Sequence, residues 1–208
     1  MKNLFYILGI VLMTAGCFSR PQPTGAPAFP ELNIADSIAV SAKWHTLATY
    51  DRKQTTALRR HFAPPAGGLD DTTNCFAQAT GHFRLHKQDY YIVDWSDSLF
   101  TWGAETRLYV FVADSNTYRF VQTLAFSYGS EGSDIETASW FFDSDGDRIP
   151  ELFTRSYAYY VTGDTSHCSD DITAWRIEKT GLKPQPVADP MQLKKKLHFK
   201  NAMLCETE

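Results

Sequence analysis

Residues 90–124 read YYIVDWSDSLFTWGAETRLYVFVADSNTYRFVQTL, and this stretch decides the fold class. Tyr90–Trp95 and Leu108–Val112 are short runs of aromatic and β-branched residues, types that suit a pleated, half-buried surface. Asp114-Ser115-Asn116 then turns the chain, because Asx residues tolerate left-handed backbone and bond their own main chain. Tyr118–Leu124 returns, which completes a hairpin signal.

The pattern extends in both directions. Gly81–His86 alternates at strand period, and Ser139–Phe142, Leu152–Val161 and Ile172–Ile177 continue it. Residues 151–187 repeat the order of residues 90–124, with a turn at Thr180-Gly181 and with Phe111 and Trp175 at matching places. Two such units are too few to close a propeller. The expectation is a mainly β fold with minor α: antiparallel sheets of blade-like repeat units, flanked by one or two helices. Leu47, Tyr50, Leu58 and Phe62 recur at roughly helical spacing within residues 35–62, and Pro64-Pro65 and Gly67-Gly68 stop that helix. At the other end Asp189 is placed to cap a second helix, Pro190 suits its first position, and Met191–Leu197 follow.

The chain begins as an export signal. Lys2 is followed by the apolar run Leu4–Met13, too short to span a hydrocarbon core of ~30 Å but long enough for a signal peptide. Thr14-Ala15-Gly16-Cys17 comes next and resembles the bacterial lipobox, with Thr14 where that motif usually has Leu. The resemblance implies cleavage after residue 16 and a diacylglycerol on Cys17. Residues 17–34 are rich in proline and read as a tether, which leaves 35–208 as one globular β-rich domain. Phe18 stands where many such proteins carry an inner-membrane retention Asp, so the resemblance implies a lipid anchor in the outer membrane of a bacterial cell envelope.

The most specific interior motif is Asp143-Ser144-Asp145-Gly146-Asp147-Arg148-Ile149-Pro150-Glu151-Leu152. Carboxylates at relative positions 1, 3, 5 and 9 can turn inward together, with a main-chain carbonyl near Ile149. Calcium takes six to eight hard oxygens, and crowded aspartates repel one another without a cation. The stretch resembles the FG-GAP, or VCBS, repeat loop of integrin-type propellers. That resemblance implies calcium held by Asp143, Asp145, Asp147 and Glu151 in a structural role, with Pro150 setting the turn. Arg148 departs from it, since Gly is common there and a positive φ costs Arg more. A metal-free reading, in which the aspartates merely cap main-chain amides, stays open.

A formal net charge of −4 argues against nucleic-acid binding, which needs a basic face. The dense basic run Lys194-Lys195-Lys196 reads as a solvated helix face. After Cys17, the cysteines at 75, 168 and 205 permit one internal bridge in three pairings. Ser130 lies between glycines but not in a nucleophile elbow. His82 and His86 share a face if both lie on a strand, and Glu131, Asp134 and Glu136 could pair for acid–base work. No constellation points to catalysis. The leading expectation is a non-catalytic, membrane-tethered domain that contacts a protein or glycan. A hydrolase of envelope polymers using His82, His86, Glu131 and Asp134, and a plain structural spacer, are the alternatives.

Overall fold

The computed structural model describes residues 27–34, 38–41, 51–65, 75–97, 103–114, 117–130, 133–178 and 181–199. Its nine strands are β1 (Ile38–Ser41), β2 (Cys75–Leu85), β3 (Gln88–Asp97), β4 (Gly103–Asp114), β5 (Thr117–Ser130), β6 (Ser133–Phe142), β7 (Glu151–Thr162), β8 (Thr165–Glu178) and β9 (Gly181–Gln185). Two helices, α1 (Arg52–Arg59) and α2 (Pro190–Lys196), complete it. The expected antiparallel, mainly β fold therefore forms, as one sheet in the order β2 to β9 with β1 paired beside β6.

Tight turns dictate this meander, since neighbouring strands joined by two residues can only pair antiparallel. Gly163-Asp164 joins β7 to β8, and the Gly163 φ of 61° is the left-handed geometry such a turn requires. The His86-Lys87 turn uses positive φ at both residues, 50° and 67°. This corrects the placement of His86 on a strand: only His82 lies on β2.

The sheet folds over onto itself. Strand β5 pairs with β6 only through Phe126–Ser130, while its earlier half stays with β4. Into the resulting wedge goes β1, whose residues 38–41 pair with Phe141–Ala138 of β6. Residues 38–41, within a segment expected to be partly helical, form a strand, because β6 offers them an open hydrogen-bonding edge. Leu47 and Tyr50 lie outside the described residues. The two halves of the sheet then share one core: Phe83, Ile92, Leu108 and Val110 from β2–β4 meet Phe141, Leu152 and Ile177 from β6–β8. Phe83 meets the Phe141 ring at 5.3 Å, and His86 Nε2 donates to the Ile177 carbonyl at 2.9 Å, clasping the β2–β3 turn to β8. Each fully buried side chain of this size stabilises by roughly 1.5–3 kcal/mol.

The opposite faces need covers, and each half has its own. Helix α1 buries Leu58, followed by Phe62, against Tyr91, Val93, Trp95, Tyr109 and Phe111. Asp51 caps it by accepting from Lys53 N, and Thr55 Oγ1 accepts from Ala77 N on the outer strand β2. Helix α2 starts as expected, with Asp189 accepting from Gln192 N and Pro190 in its first turn. It leads to Leu197, which packs with Phe142, Phe153 and Ala174. Phe111 and Trp175, matched in the sequence repeat, thus serve different layers: Phe111 lies under α1, whereas Trp175 packs against the core between the halves. Register shifts at Leu108/Tyr109 and Val110/Phe111 break the equivalence of the two units.

Residues 27–34, within the segment read as tether, are packed. Phe29 and Ile34 are buried, and Leu32 N donates to His82 O while His82 N donates to Pro30 O. Gly81 makes this approach possible, since a Cβ there would lie 2.2 Å from Leu32 Cδ1. These contacts cover the free edge of β2, and Pro184 blunts β9 at the other edge.

Candidate metal centre and the cavity beside it

Strands β6 and β7 are locked where the acidic loop leaves them, because Phe142 stacks on Phe153 at 4.4 Å. Between them the loop wraps its own carboxylates. Asp143 Oδ1 accepts from Gly146 N at 2.7 Å and its Oδ2 from Arg148 N at 2.8 Å. Asp145 accepts from Asp147 N, Asp147 from Ile149 N, and Glu151 Oε2 from both N and Oγ of Ser144. Gly146 and Arg148 take left-handed φ values of 82° and 69°. The result brings one carboxylate oxygen each of Asp143, Asp145, Asp147 and Glu151 within 4.8 Å of one another.

This cluster could bind a metal ion. Its donors are hard oxygens, with no sulfur or imidazole, which suits a hard cation over a soft one. The three aspartates are exposed and Glu151 is buried. Desolvation pushes the Asp143 carboxyl upward, but backbone amides of Arg148, Gly146, Asp147 and Asp145 outweigh it and hold the group below the ordinary carboxylate range. Arg176, on β8, pairs with Asp147 Oδ2 and offsets part of the negative charge. Arg148 sits in backbone that glycine adopts without penalty. Arg148→Gly is expected to stabilise the fold by about 0.5–1 kcal/mol, the relief of a left-handed non-glycine residue less the added chain entropy; urea melts read it out.

A cavity of about 330 Å³ opens beside the loop. Asp145 and Glu151 belong to both cluster and cavity wall, and Phe153, Arg176, Gln185 and Gln192 also line it. Sequence reasoning missed this wall. Gln185 on β9 and Gln192 on α2 are separated from the loop by two and three strands respectively, and no local pattern marks them.

The other expected sites fall elsewhere. Cys17, Glu131 and Cys205 lie outside the described residues. His82 Nε2 is 3.5 Å from buried Asp89, and His86 is spent on the Ile177 carbonyl. On β6, Glu136 is raised by desolvation and then by neighbouring Asp134, yet neither joins a histidine: among the described residues the acidic loop alone gathers three or more His, Cys, Asp or Glu side chains. Of the basic run, Lys194 binds Asp170 and Lys196 covers the Phe142 ring at 4.3 Å. Cys75 is buried as a thiol and Cys168 is disulfide-bonded, so its partner lies outside the described residues. No helix among the described residues is long and apolar enough to cross a membrane. Comparison with protein-family profiles, with curated proteins and with solved structures gave no match.

Proposed function

We propose that this chain is an exported bacterial lipoprotein, held in the outer membrane by lipid on Cys17. Its calcium-stabilised sheet contacts a protein or glycan of the envelope without catalysing a reaction. The observation that carries this reading is the convergence of Asp143, Asp145, Asp147 and Glu151 within 4.8 Å, on a loop that resembles the FG-GAP type in spacing. Calcium there would pin the β6–β7 connection. The bonded Cys168 supports the reading, since disulfides persist in oxidising compartments such as the periplasm. So do Lys2, the apolar run Leu4–Met13 and Ala15-Gly16-Cys17.

The anchor is tested by expressing the full chain in a Gram-negative host fed radiolabelled palmitate. Label is expected on the wild type in the outer-membrane fraction and absent from Cys17→Ser. An unlabelled wild type, or label retained by Cys17→Ser, would remove the lipoprotein reading.

A further inference from the structure

We infer that Cys168 is joined to Cys205, and that this bond straps the segment after α2 across β7 and β8. Cys168 is disulfide-bonded and Cys75 is a buried thiol, so Cys17 and Cys205 are the partners the sequence leaves. On the lipoprotein reading above the Cys17 sulfur carries lipid, which leaves Cys205. Position selects Cys205 without that reading. Residues two apart on a strand point to one face, so Cys168 shares the face of Asp170. That is the face α2 covers: Asp170 binds Arg155 and Lys194, and Arg155 donates to the Lys194 and Leu197 carbonyls. The chain then reaches Phe199, whose ring meets Tyr157 at 6.3 Å and Arg155 Cζ at 5.0 Å. Tyr157 stands opposite Asp170 and Tyr159 opposite Cys168, so Phe199 lies one step along the strands from Cys168. That step is about 7 Å, and the chain from Phe199 to Cys205 spans up to ~20 Å when extended. The chain after Cys17 instead joins the fold on the other half of the sheet, where Phe29 packs on Phe62 and Tyr91.

The strap has something to hold. Helix α2 has 7 residues, none of them buried, and a helix so short does not persist alone in water. The bond closes a loop that contains both β9 and α2, so it fastens the cover of the β6–β8 half to the strands beneath. Cys168 is exposed, within reach of an oxidising partner. The bond forms by thiol–disulfide exchange with the disulfide of an oxidoreductase. The chain gives up two thiols and gains one disulfide, and the oxidoreductase is left as a dithiol.

The test is tryptic peptide mapping without reductant, on the full chain purified from the envelope of a Gram-negative host with a maleimide present from lysis. The expected result is one cross-link, between peptides 156–176 and 201–208. Maleimide on Cys168, or a link from it to the peptide carrying Cys75, overturns the pairing and leaves the lipid reading standing. A link from Cys168 to the peptide carrying Cys17 overturns both. Thermal melts then test the strap. Reductant should lower the wild-type melting temperature by about 5–10 °C, as loss of a bond that closes a loop of this length does in a chain of this size. Cys168→Ser/Cys205→Ser should melt at that lower temperature with or without reductant. Amide exchange should quicken in Pro190–Leu197 and hold its rate in β2–β4. A wild-type melt indifferent to reductant, or exchange that quickens equally in β2–β4, overturns the strap.

Discussion

Calcium added to the EDTA-treated full chain is expected to raise its melting temperature by about 5–10 °C. A hundredfold excess over Kd stabilises by about 2.7 kcal/mol, and a chain of this size gains about 2–4 °C per kcal/mol. The gain arises because the ion replaces mutual repulsion among four clustered carboxylates with attraction. Without it, each close pair costs roughly 1 kcal/mol in water and more where solvent is excluded. Asp145→Asn separates charge from loop geometry. Asn can still accept from Asp147 N through its side-chain oxygen, as Asp145 Oδ1 does at 3.1 Å. The variant is therefore expected to match or exceed the metal-free wild type in stability and to show no calcium shift. A wild-type melt that ignores millimolar calcium would mean that the loop is a turn capped by its own amides.

The second large effect belongs to Arg155. Its side chain is 7 % exposed and grips Asp170 with two bonds, at 2.8 and 2.9 Å. The same guanidinium donates to the Lys194 and Leu197 carbonyls at the end of α2, at 2.9 and 2.6 Å, and lies over the Phe199 ring at 5.0 Å. Asp170→Asn leaves that buried cation without its carboxylate, which costs about 3 kcal/mol. Adding Arg155→Met should recover much of the loss, because an apolar chain of similar length needs no counter-charge. Desolvation raises the Asp170 carboxyl, but bonding and attraction from Arg155, with help from Lys194, win and place it below its ordinary value. A group depressed in the folded state contributes fully above its unfolded pKa, about 3.9, and loses its contribution as pH falls through the folded value. The wild-type melting temperature should therefore drop across that acidic window, and Asp170→Asn should show a shallower acid limb. Equal acid limbs in the two proteins would rule the pair out as a source of stability.

The hairpins were legible in the sequence because their determinants are local. Tyr90–Trp95 and Leu108–Val112 carry strand residues, and turn formers separate the runs. The loop at Asp143–Glu151 was legible for the same reason, as all four carboxylates lie within one contiguous stretch. What escaped notice depends on distance along the chain. Strand β1 has four residues and borrows its identity from Phe141–Ala138. His86 continues an alternating pattern and nothing beside it signals a turn, yet the two-residue connection to Gln88 forces one. The cavity wall at Gln185 and Gln192 exists only once α2 has docked.

Strand β1 also sets an order of events in time. It leaves the ribosome early, but its hydrogen-bonding partners at Ala138–Phe141 are made roughly a hundred residues later. Neighbouring hairpins close on microsecond timescales, whereas a pairing with so long a loop waits for the entropy of that loop to be offset by other contacts. The wedge is therefore filled late, after the meander has zipped. Val40, buried in the shared core, should consequently accelerate unfolding when cut to alanine and leave the refolding rate nearly unchanged in stopped-flow measurements. A newly made chain passes through an interval in which its longest strands are paired and the edge of β6 is still open to capture by another molecule.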